Sequence, residues 1–265
     1  MEVLSMKGDY MKKLILAGTR ADGRPLDAFR KVTVEKGVVK TAEGSARVTM
    51  GKTQVVAGIK MDAAEPYPDT PNEGNLVVDA EFVPFANPDF EPGPPDENAV
   101  ELARVVDRGI RECRAIDTEK LVIVPKELVW SVHIDIHAIN DDGNLQDASS
   151  LAAIAALQDC KIPEYDAEKK QVVKEMTAVV SSGRPLPLRD TPVEVTVHKI
   201  GGKLFIDPTI EEEEASDAHV TIATTEAGDL CAMQKGGKGA FTAEELLAAA
   251  RMSIEKGRDL RAALG

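Results

Sequence analysis

The chain has 265 residues, 43% of them hydrophobic, so it can bury a substantial core as one large domain or two small ones. Its formal net charge of -13 argues against a protein that coats nucleic acid with its whole surface, because phosphate binding needs a local excess of lysine and arginine. No apolar run approaches the ~20 residues of a membrane-spanning helix. Cys113, Cys160 and Cys231 are isolated in the sequence, which favours a reducing compartment, and we expect a cytoplasmic protein.

The N-terminal part of the sequence predicts an arm followed by strands. Residues 1–29 carry mixed charge and end in a turn that contains glycine and proline, so we predict an N-terminal arm there. The alternating segment 45–60 predicts a β-hairpin that turns at Gly51 and Lys52, and 76–82 predicts a further strand.

A helix with two chemically distinct sides is predicted over 97–116, after a proline-rich loop and with Asp96 as its cap. Its apolar residues fall on one side at about 100° per residue. Roughly the opposite side carries a group of arginines, which are Arg104, Arg108, Arg111 and Arg114. Such a side can be a solvated face, because Asp107 can pair with Arg111, or it can bind phosphate groups bidentately.

The segment 128–140 alternates and predicts a strand with Trp130 on one face and His133, Asp135 and His137 on the other. The small apolar run 148–157 predicts a helix buried against a sheet.

The C-terminal part repeats the order of strands followed by a helix. Strands are predicted at 193–200, 203–207, 218–224 and 230–234, and Thr242 with Glu245 forms a capping box that starts the last helix. The acidic run 211–214 is expected to be a solvated loop. We divide the chain into an arm at 1–29, a first half at 30–163, a connection at 164–188 and a second half at 189–265.

Three segments together carry a family resemblance. They are EGSARVTMGKTQVVAGIK at 43–60, EPGPPDENAVELARVVDRGIRE at 91–112 and DIHAINDDGNLQDASSLAAIAAL at 135–157. In this order they resemble the RNase PH family, and most closely the non-catalytic ring subunit of the archaeal exosome. The resemblance implies an α+β, RNase PH-like fold of two βαβ-containing halves, similar to the second domain of ribosomal protein S5, with mixed sheets and packed helices.

The same resemblance identifies positions at which this chain departs from active members, which use inorganic phosphate to degrade RNA from its 3′ end. Their helix after the strand opens with an arginine that binds phosphate together with the helix-start amides, and Gln146 stands at that position here. Asp147 follows it, and we expect its carboxylate to repel phosphate at the helix start. In a second motif, active members have two aspartates where Glu213 and His219 stand here.

These departures predict a chain without catalytic residues, cofactor or resident metal. The resemblance implies that it pairs with a catalytic RNase PH-like subunit in a heterohexameric ring, a trimer of heterodimers, with RNA-binding cap proteins and no membrane. The arginines of the predicted helix are then expected to contact the 3′ end of single-stranded RNA. Two alternatives stay open, an independent phosphorolytic exoribonuclease that uses Glu213 and Asp217, and a metal-dependent hydrolase at His133, Asp135 and His137.

Overall fold

The computed structural model describes residues 2–166, 168, 171–173 and 183–265. The helices are α1 Glu2–Leu16, α2 Glu97–Glu112, α3 Leu145–Asp159, α4 Ile210–Ala215 and α5 Ala243–Ala262. The strands before α3 are β1 Val32–Lys36, β2 Gly44–Met50, β3 Thr53–Ala64, β4 Asn75–Phe82, β5 Val122–Val124 and β6 Leu128–Asn140. Those after α3 are β7 Lys161–Ile162, β8 Tyr165–Asp166, β9 Gln171–Val172, β10 Arg184–Pro185, β11 Val193–Ile200, β12 Lys203–Ile206, β13 Ala218–Thr224 and β14 Leu230–Gly236.

Two sheets form the framework, and both follow from the hairpins in the sequence. The first has the order β1-β2-β3-β6-β4, with β5 on β6, and it is antiparallel except where β4 runs parallel to β6. The second is antiparallel with the order β12-β11-β13-β14. Gly51 and Gly201 turn two of the hairpins with φ values of 63° and 53°, a conformation that glycine adopts without steric cost. This mixed α+β architecture confirms the predicted fold class.

Helix α3 joins the two sheets, because it packs on β2 and β3 of the first sheet and on β11 of the second. Its small side chains are buried on every side from Ala148 to Leu157, as the sequence predicted. Gly44 on β2 lies so close to α3 that a Cβ atom would collide with the backbone of Ala156 and Cys160. Helix α3 is therefore packed closely between the two sheets.

Helix α2 is capped as predicted, since the side chain of Asp96 accepts a hydrogen bond from Ala99 N at 2.8 Å. The helix ends at Glu112 and not at 116. Arg114 has a φ of 51°, and the amide of Ala115 turns back to the carbonyl of Ile110, which closes the helix with a left-handed residue. The sequence did not reveal this end of the helix, because an arginine stands at a position that glycine usually occupies.

Two further expectations for local structure were incomplete or wrong. The acidic run 211–214 is not a loop but part of α4, which opens with a capping box between Thr209 and Glu212. Glu212 is 2% exposed and forms a buried ion pair with Arg20. The N-terminal arm contains α1, and its arginines reach the second half of the chain. The burial of Glu212 depends on Arg20, which lies 192 residues away in sequence.

The cysteines are not all isolated. Cys113, at the end of α2, forms a disulfide with Cys231 on β14, with the two Cα atoms 5.4 Å apart. Cys160 is free and buried. The sequence expectation was wrong for the first two because the packing of α2 beside β14 brings together positions 118 residues apart.

The remaining predicted helices and strands are confirmed, and the last helix begins with the capping box of Thr242 and Glu245. The predicted connection at 164–188 lies partly outside the described residues, which here leave out 167, 169–170 and 174–182. Within the described part of the chain, no helix is long and apolar enough to cross a membrane.

Candidate functional site

The loop before α3 is held in an unusual backbone conformation. Gly143 has a φ of 88°, and a Cβ atom there would collide with the backbone of Pro208. Asn144, the residue that caps α3, is also left-handed, with a φ of 59°. Arg30 fixes this loop by donating to the carbonyls of Asp142 at 2.7 Å and Gly143 at 2.9 Å. The helix start is thus positioned by an arginine from the N-terminal part of the chain.

Asp207 anchors the same arrangement from the second half. Its carboxylate is fully buried and accepts hydrogen bonds from Arg24, Arg30 and Asn144. Burial alone would raise the pKa of Asp207, but the hydrogen bonds and charge of Arg30, together with Arg24, outweigh it and lower the pKa. This residue is therefore an ionised, structurally engaged carboxylate.

Gln146 stands at the position where active family members are expected to have arginine. Its Nε2 atom donates to Oε2 of Glu194 at 2.8 Å. Glu194 is 2% exposed, and burial raises its pKa to about 8. Gly109 of α2 packs directly against this carboxyl, where any larger residue would collide with it. The side-chain amide of Gln146 is therefore already hydrogen-bonded to a buried acid.

Asp147 does not face the helix start as the sequence led us to expect. One oxygen accepts from both the amide and the hydroxyl of Thr196, at 2.8 and 2.7 Å, and the other accepts from Nδ2 of Asn144 at 3.1 Å. The side chain is fully buried, and burial raises its pKa to about 7. The carboxyl is buried between Thr196 of β11 and the side chain of Asn144, and its repulsion of phosphate remains a prediction.

Glu213, from α4, takes the place at the helix start that we had assigned to Asp147. Its Oε1 atom accepts a hydrogen bond from the backbone amide of Asn144 at 2.8 Å. Burial raises the pKa of Glu213 to about 8, with Asp141 and Asp147 adding to the rise and the Asn144 amide and Arg30 opposing it. A carboxyl of this chain therefore occupies the amide that an incoming anion would use.

His219 and Glu213 line one cavity of about 290 Å³ together with Gln146. His219 lies opposite His198 across β13 and β11, with ring centroids 5.3 Å apart. Burial lowers the pKa of both imidazoles, so neither contributes positive charge at neutral pH. The structure thus brings three of the four positions into one cavity, and Asp147 is not among the described residues that line it.

The alternative pairing of Glu213 with Asp217 is not formed. Asp217 accepts from the amide of Gly201 at 2.7 Å, in the turn between β11 and β12. It is not among the described residues that line the cavity around Glu213. The structure gives no support to a rearranged site built on these two acids.

His133, Asp135 and His137 lie on one face of β6, as predicted, but their side chains do not come together. His133 lies 3.1 Å from the hydroxyl of Ser131, and Nδ1 of His137 lies 3.6 Å from Glu81. Among the residues that the structure describes, no three histidine, cysteine or acidic side chains are grouped to hold a metal ion. The hydrolase alternative therefore has no structural support.

The four arginines on and just after α2 are all exposed, and the structure divides them into two pairs. Arg104 and Arg108 line a depression of about 680 Å³, where Arg108 donates to Oε1 of Gln234 at 2.9 Å. Arg111 and Arg114 line a second depression of about 470 Å³. The predicted group of arginines is therefore split between two depressions, and the first of them is also lined by Asp96, Glu97, Glu101 and Asp107.

These arginines differ in how far their charge is already neutralised. Arg111 forms an ion pair with Asp107 at 2.7 Å and donates to the carbonyl of Leu76. The side chains of Arg104 and Arg114 make no hydrogen bond or ion pair with any described residue. Arg104 thus has a fully available guanidinium beside Arg108.

Sequence reasoning missed the residues that hold the site together, namely Arg30, Asn144 and Glu194. For Glu194 a signal was present, because polar residues alternate along β11 at 194, 196 and 198 in a strand whose other face is valine. A strand buried on both faces with polar side chains on one of them indicates an internal hydrogen-bonded site. For Arg30 the sequence offered no such pattern.

The fold and this site define the class of protein. Residues 28–163 match domain 1 of the 3′ exoribonuclease family, and residues 190–256 match its domain 2. The chain therefore belongs to the RNase PH family of 3′ exoribonucleases.

Particular relatives are closely similar over nearly the whole chain. The exosome complex component Rrp42 of Thermococcus kodakarensis is 46% identical over 264 residues, which cover 98% of this chain and 95% of that protein. The exosome complex component Rrp42 of Archaeoglobus fulgidus is 51% identical over 235 residues, covering 89% of this chain and 86% of that one. A solved chain of the Archaeoglobus fulgidus exosome with RNA bound to the active site superposes with a TM-score of 0.91, at 47% identity and 100% coverage of both chains.

Proposed function

We propose that this chain is a non-catalytic subunit of an exosome core, a phosphorolytic complex that degrades RNA from 3′ to 5′. In that complex it contacts RNA and helps to order the active site of a catalytic RNase PH-like partner. The exosome relatives and their near-complete coverage of the chain support membership of the complex. The similarity to a chain from an exosome with bound RNA supports a role close to RNA.

The start of α3 carries the proposal that the chain itself is inactive. Gln146 is bound to Glu194, and the amide of Asn144 is bound to Glu213, so the side chain and the amide that phosphate would need are both engaged. No lysine or arginine is among the described residues that line the cavity. A phosphate dianion would leave water for a poorly solvated site walled by acids, where charge repulsion is strong.

Assay of the purified chain tests inactivity directly. The chain alone, incubated with single-stranded RNA and inorganic phosphate, is expected to release no nucleoside diphosphates. Addition of the catalytic partner is expected to start their release. If the chain alone worked at a rate comparable with the assembled complex, the proposed non-catalytic role would be wrong.

The arginine surfaces of α2 carry the proposed RNA contact. Arg104 has no partner within the described residues, and Arg108 is held in place by Gln234. Guanidinium groups bind phosphate oxygens bidentately, and two of them on adjacent turns match a chain of phosphates better than one. We assign the strongest contacts to this pair, with Arg111 and Arg114 extending the surface.

We also propose the assembly that the resemblance implies, a heterohexameric ring in the cytoplasm in which this chain alternates with its catalytic partner, with RNA-binding cap proteins attached. Purification from the native source tests this arrangement. The expected result is a catalytic RNase PH-like chain in equal amount. Recovery of the chain without such a partner would contradict it.

A further inference from the structure

The second depression, at the C-terminal end of α2, brings together arginines from two distant segments of the chain. Its volume is about 470 Å³, within the range of about 300–1,000 Å³ that is usual for small-molecule sites. Arg111 and Arg114 line it from the end of α2 and the residues just after it, and Arg189 lines it from the segment before β11. The backbone fixes this meeting, since the amide of Arg189 donates to the carbonyl of Ala115 at 2.8 Å. The three arginines are therefore neighbours through the tertiary fold.

Arg114 has a strained backbone and a free side chain. Its φ of 51° is left-handed, a conformation that costs free energy for a residue with a Cβ atom and that glycine adopts freely. The side chain is exposed and makes no hydrogen bond or ion pair within the described part of the chain. A strained arginine without a partner in its own chain indicates a role towards a ligand.

The other two arginines also have N–H groups to offer. Arg111 binds Asp107 through Nε and Nη2, which leaves its Nη1 atom without an acceptor among the described residues. Arg189 donates from Nη2 to Asp117 at 2.6 Å, and its remaining nitrogens have no acceptor in the same part of the chain. Each guanidinium therefore keeps donors that a phosphate oxygen can use.

Acids at the same depression limit what charge alone can contribute. Glu73 and Glu119 also line it. Glu73 already accepts from the hydroxyl of Thr118 at 2.9 Å, and Glu119 is exposed, so water screens its repulsion. Because Arg111 and Arg189 are paired with aspartates, Arg114 supplies the unpaired positive charge. This arrangement favours an anion that gains a second, uncharged contact.

Tyr67 can supply that contact. It lines the depression from the loop between β3 and β4, and it is 45% exposed. The loop is held in place, since the carbonyl of Tyr67 accepts from the amide of Thr70 at 3.1 Å and the amide of Gly74 donates to the carbonyl of Thr118 at 2.9 Å. An exposed aromatic ring beside arginines offers a face on which a nucleic-acid base can stack.

We propose that the second depression binds a nucleotide, with its phosphate groups on Arg111, Arg114 and Arg189 and its base stacked on Tyr67. Guanidinium groups bind phosphate oxygens bidentately, and an aromatic ring stacks with any base. A free nucleoside diphosphate and a nucleotide within RNA share this chemistry. For RNA the proposal rests on the proposed function, to which it adds Tyr67 and Arg189, and for a free nucleotide it goes beyond that function.

Calorimetric titration of the isolated full chain with ADP tests the site. Adenosine, which lacks the phosphates, and inorganic pyrophosphate, which lacks the base, are the matched ligand controls. We expect saturable binding of ADP that weakens as salt is added, and at least about tenfold weaker binding of either control. Absence of saturable ADP binding, or equal affinity for either control, would overturn the proposal.

Arg114→Gly locates the phosphate contact while keeping the fold. Glycine suits the left-handed backbone, so thermal unfolding should show an intact fold, whereas ADP should bind at least about tenfold more weakly. Lys126→Gly is the matched control, because Lys126 is also exposed and left-handed, with a φ of 66°, and is not among the described residues that line the depression. Equal effects of the two variants would refute the assignment.

Two changes at Tyr67 test the stacking contact. Tyr67→Phe keeps the ring and should bind ADP like the unaltered chain. Tyr67→Ala should weaken ADP binding at least about fivefold and leave the weaker binding of pyrophosphate unchanged. Equal weakening of both ligands, or an unchanged affinity for ADP, would show that no base stacks on Tyr67.

Competition with single-stranded RNA separates the two sources of the nucleotide. If the site holds a nucleotide of RNA, oligoadenylate will displace ADP from the chain, and if it holds a free nucleotide, ADP will stay bound. Either result, after saturable ADP binding, supports the site. Failure of the proposed RNA contact is a different result, because it is measured by charge reversal at Arg104 and Arg108, which line the other depression.

Discussion

The exposed side of α2 and the start of α3 are neighbours with opposite chemistry. Arg104 and Arg108 present guanidinium groups to solvent, whereas Glu194 and Glu213 are acids withdrawn from it. The two regions share Gln234, which accepts from Arg108 and also lines the cavity. Within a short distance the chain therefore has exposed guanidinium groups and a cavity with no lysine or arginine among its described lining residues.

Under the proposed function, this difference would let an RNase PH-like chain contact RNA without carrying out phosphorolysis. Phosphate contacts on a surface require little more than available arginines, whose interaction is only partly screened by water. A phosphorolytic site needs an anion to leave water entirely, and the acids around Asn144 make that transfer unfavourable. The two regions can consequently be altered independently, as the following changes would show.

The largest effect is expected at the scaffold of the cavity. Arg30→Ala removes the donor that joins Asp207 to the loop before α3 and leaves that carboxylate buried with fewer partners. We expect a loss of about 3–5 kcal/mol in the free energy of unfolding, measured in urea at neutral pH. Arg47→Ala, in an exposed pair with Glu35, is the control and should cost about 0–1 kcal/mol. Similar losses for both would show that Arg30 does not hold the site.

Reversing charge on α2 should act on RNA instead of on folding. In the assembled complex, the double change Arg104→Glu and Arg108→Glu is expected to weaken single-stranded RNA binding about 10- to 100-fold, with assembly intact. Fluorescence anisotropy at several salt concentrations should also show a shallower salt dependence. Arg251→Glu, on the exposed side of α5, is the matched control. If RNA affinity stayed the same at every salt concentration, this side of α2 would be a solvated face.

The buried acids should make the protein less stable as pH rises. Glu194 and Glu213 have pKa values raised to about 8, so the folded state keeps protons that the unfolded state releases near the ordinary value of 4.5. Stability is then fully present below that ordinary value and is lost as pH rises towards about 8. Glu194→Gln should reduce this loss by on the order of 1–3 kcal/mol, as measured by urea unfolding across the range.

Glu35→Gln, at an exposed ion pair, is the control for that pH series and should leave the slope unchanged. A Glu194→Gln variant whose stability still fell as steeply as that of the unaltered chain would show that Glu194 is ionised in the folded state.

The smallest effect is expected at Gln234, where the two regions meet. Gln234→Ala removes the acceptor that holds Arg108 and should weaken RNA binding only about two- to threefold, because the arginine itself remains. Met233→Ala, an exposed neighbour on β14, should leave RNA affinity unchanged. A loss as large as that of the arginine reversal would mean that Gln234 contacts RNA itself.

Much of the fold could be predicted because local patterns decide it. The alternation in β3 and β6, the glycine turn between β11 and β12 and the capping boxes all depend on residues a few positions apart. The end of α2 was misplaced because Arg114 adopts a left-handed conformation that glycine usually takes. The sequence singled out Gln146, Glu213 and His219, and the structure places all three around one cavity. Their loss of function and the RNA roles of the arginines remain predictions.

By itself, the sequence determined the family and the order of most helices and strands, because both can be read from residues that are close together in the chain. Only the tertiary structure decided that Asp147 turns inward, that Glu213 takes the amide of Asn144 and that Cys113 meets Cys231. The physical reason is that orientation, burial and pKa depend on distant partners. Arg30 and Asp207, for example, meet across a separation of 177 residues.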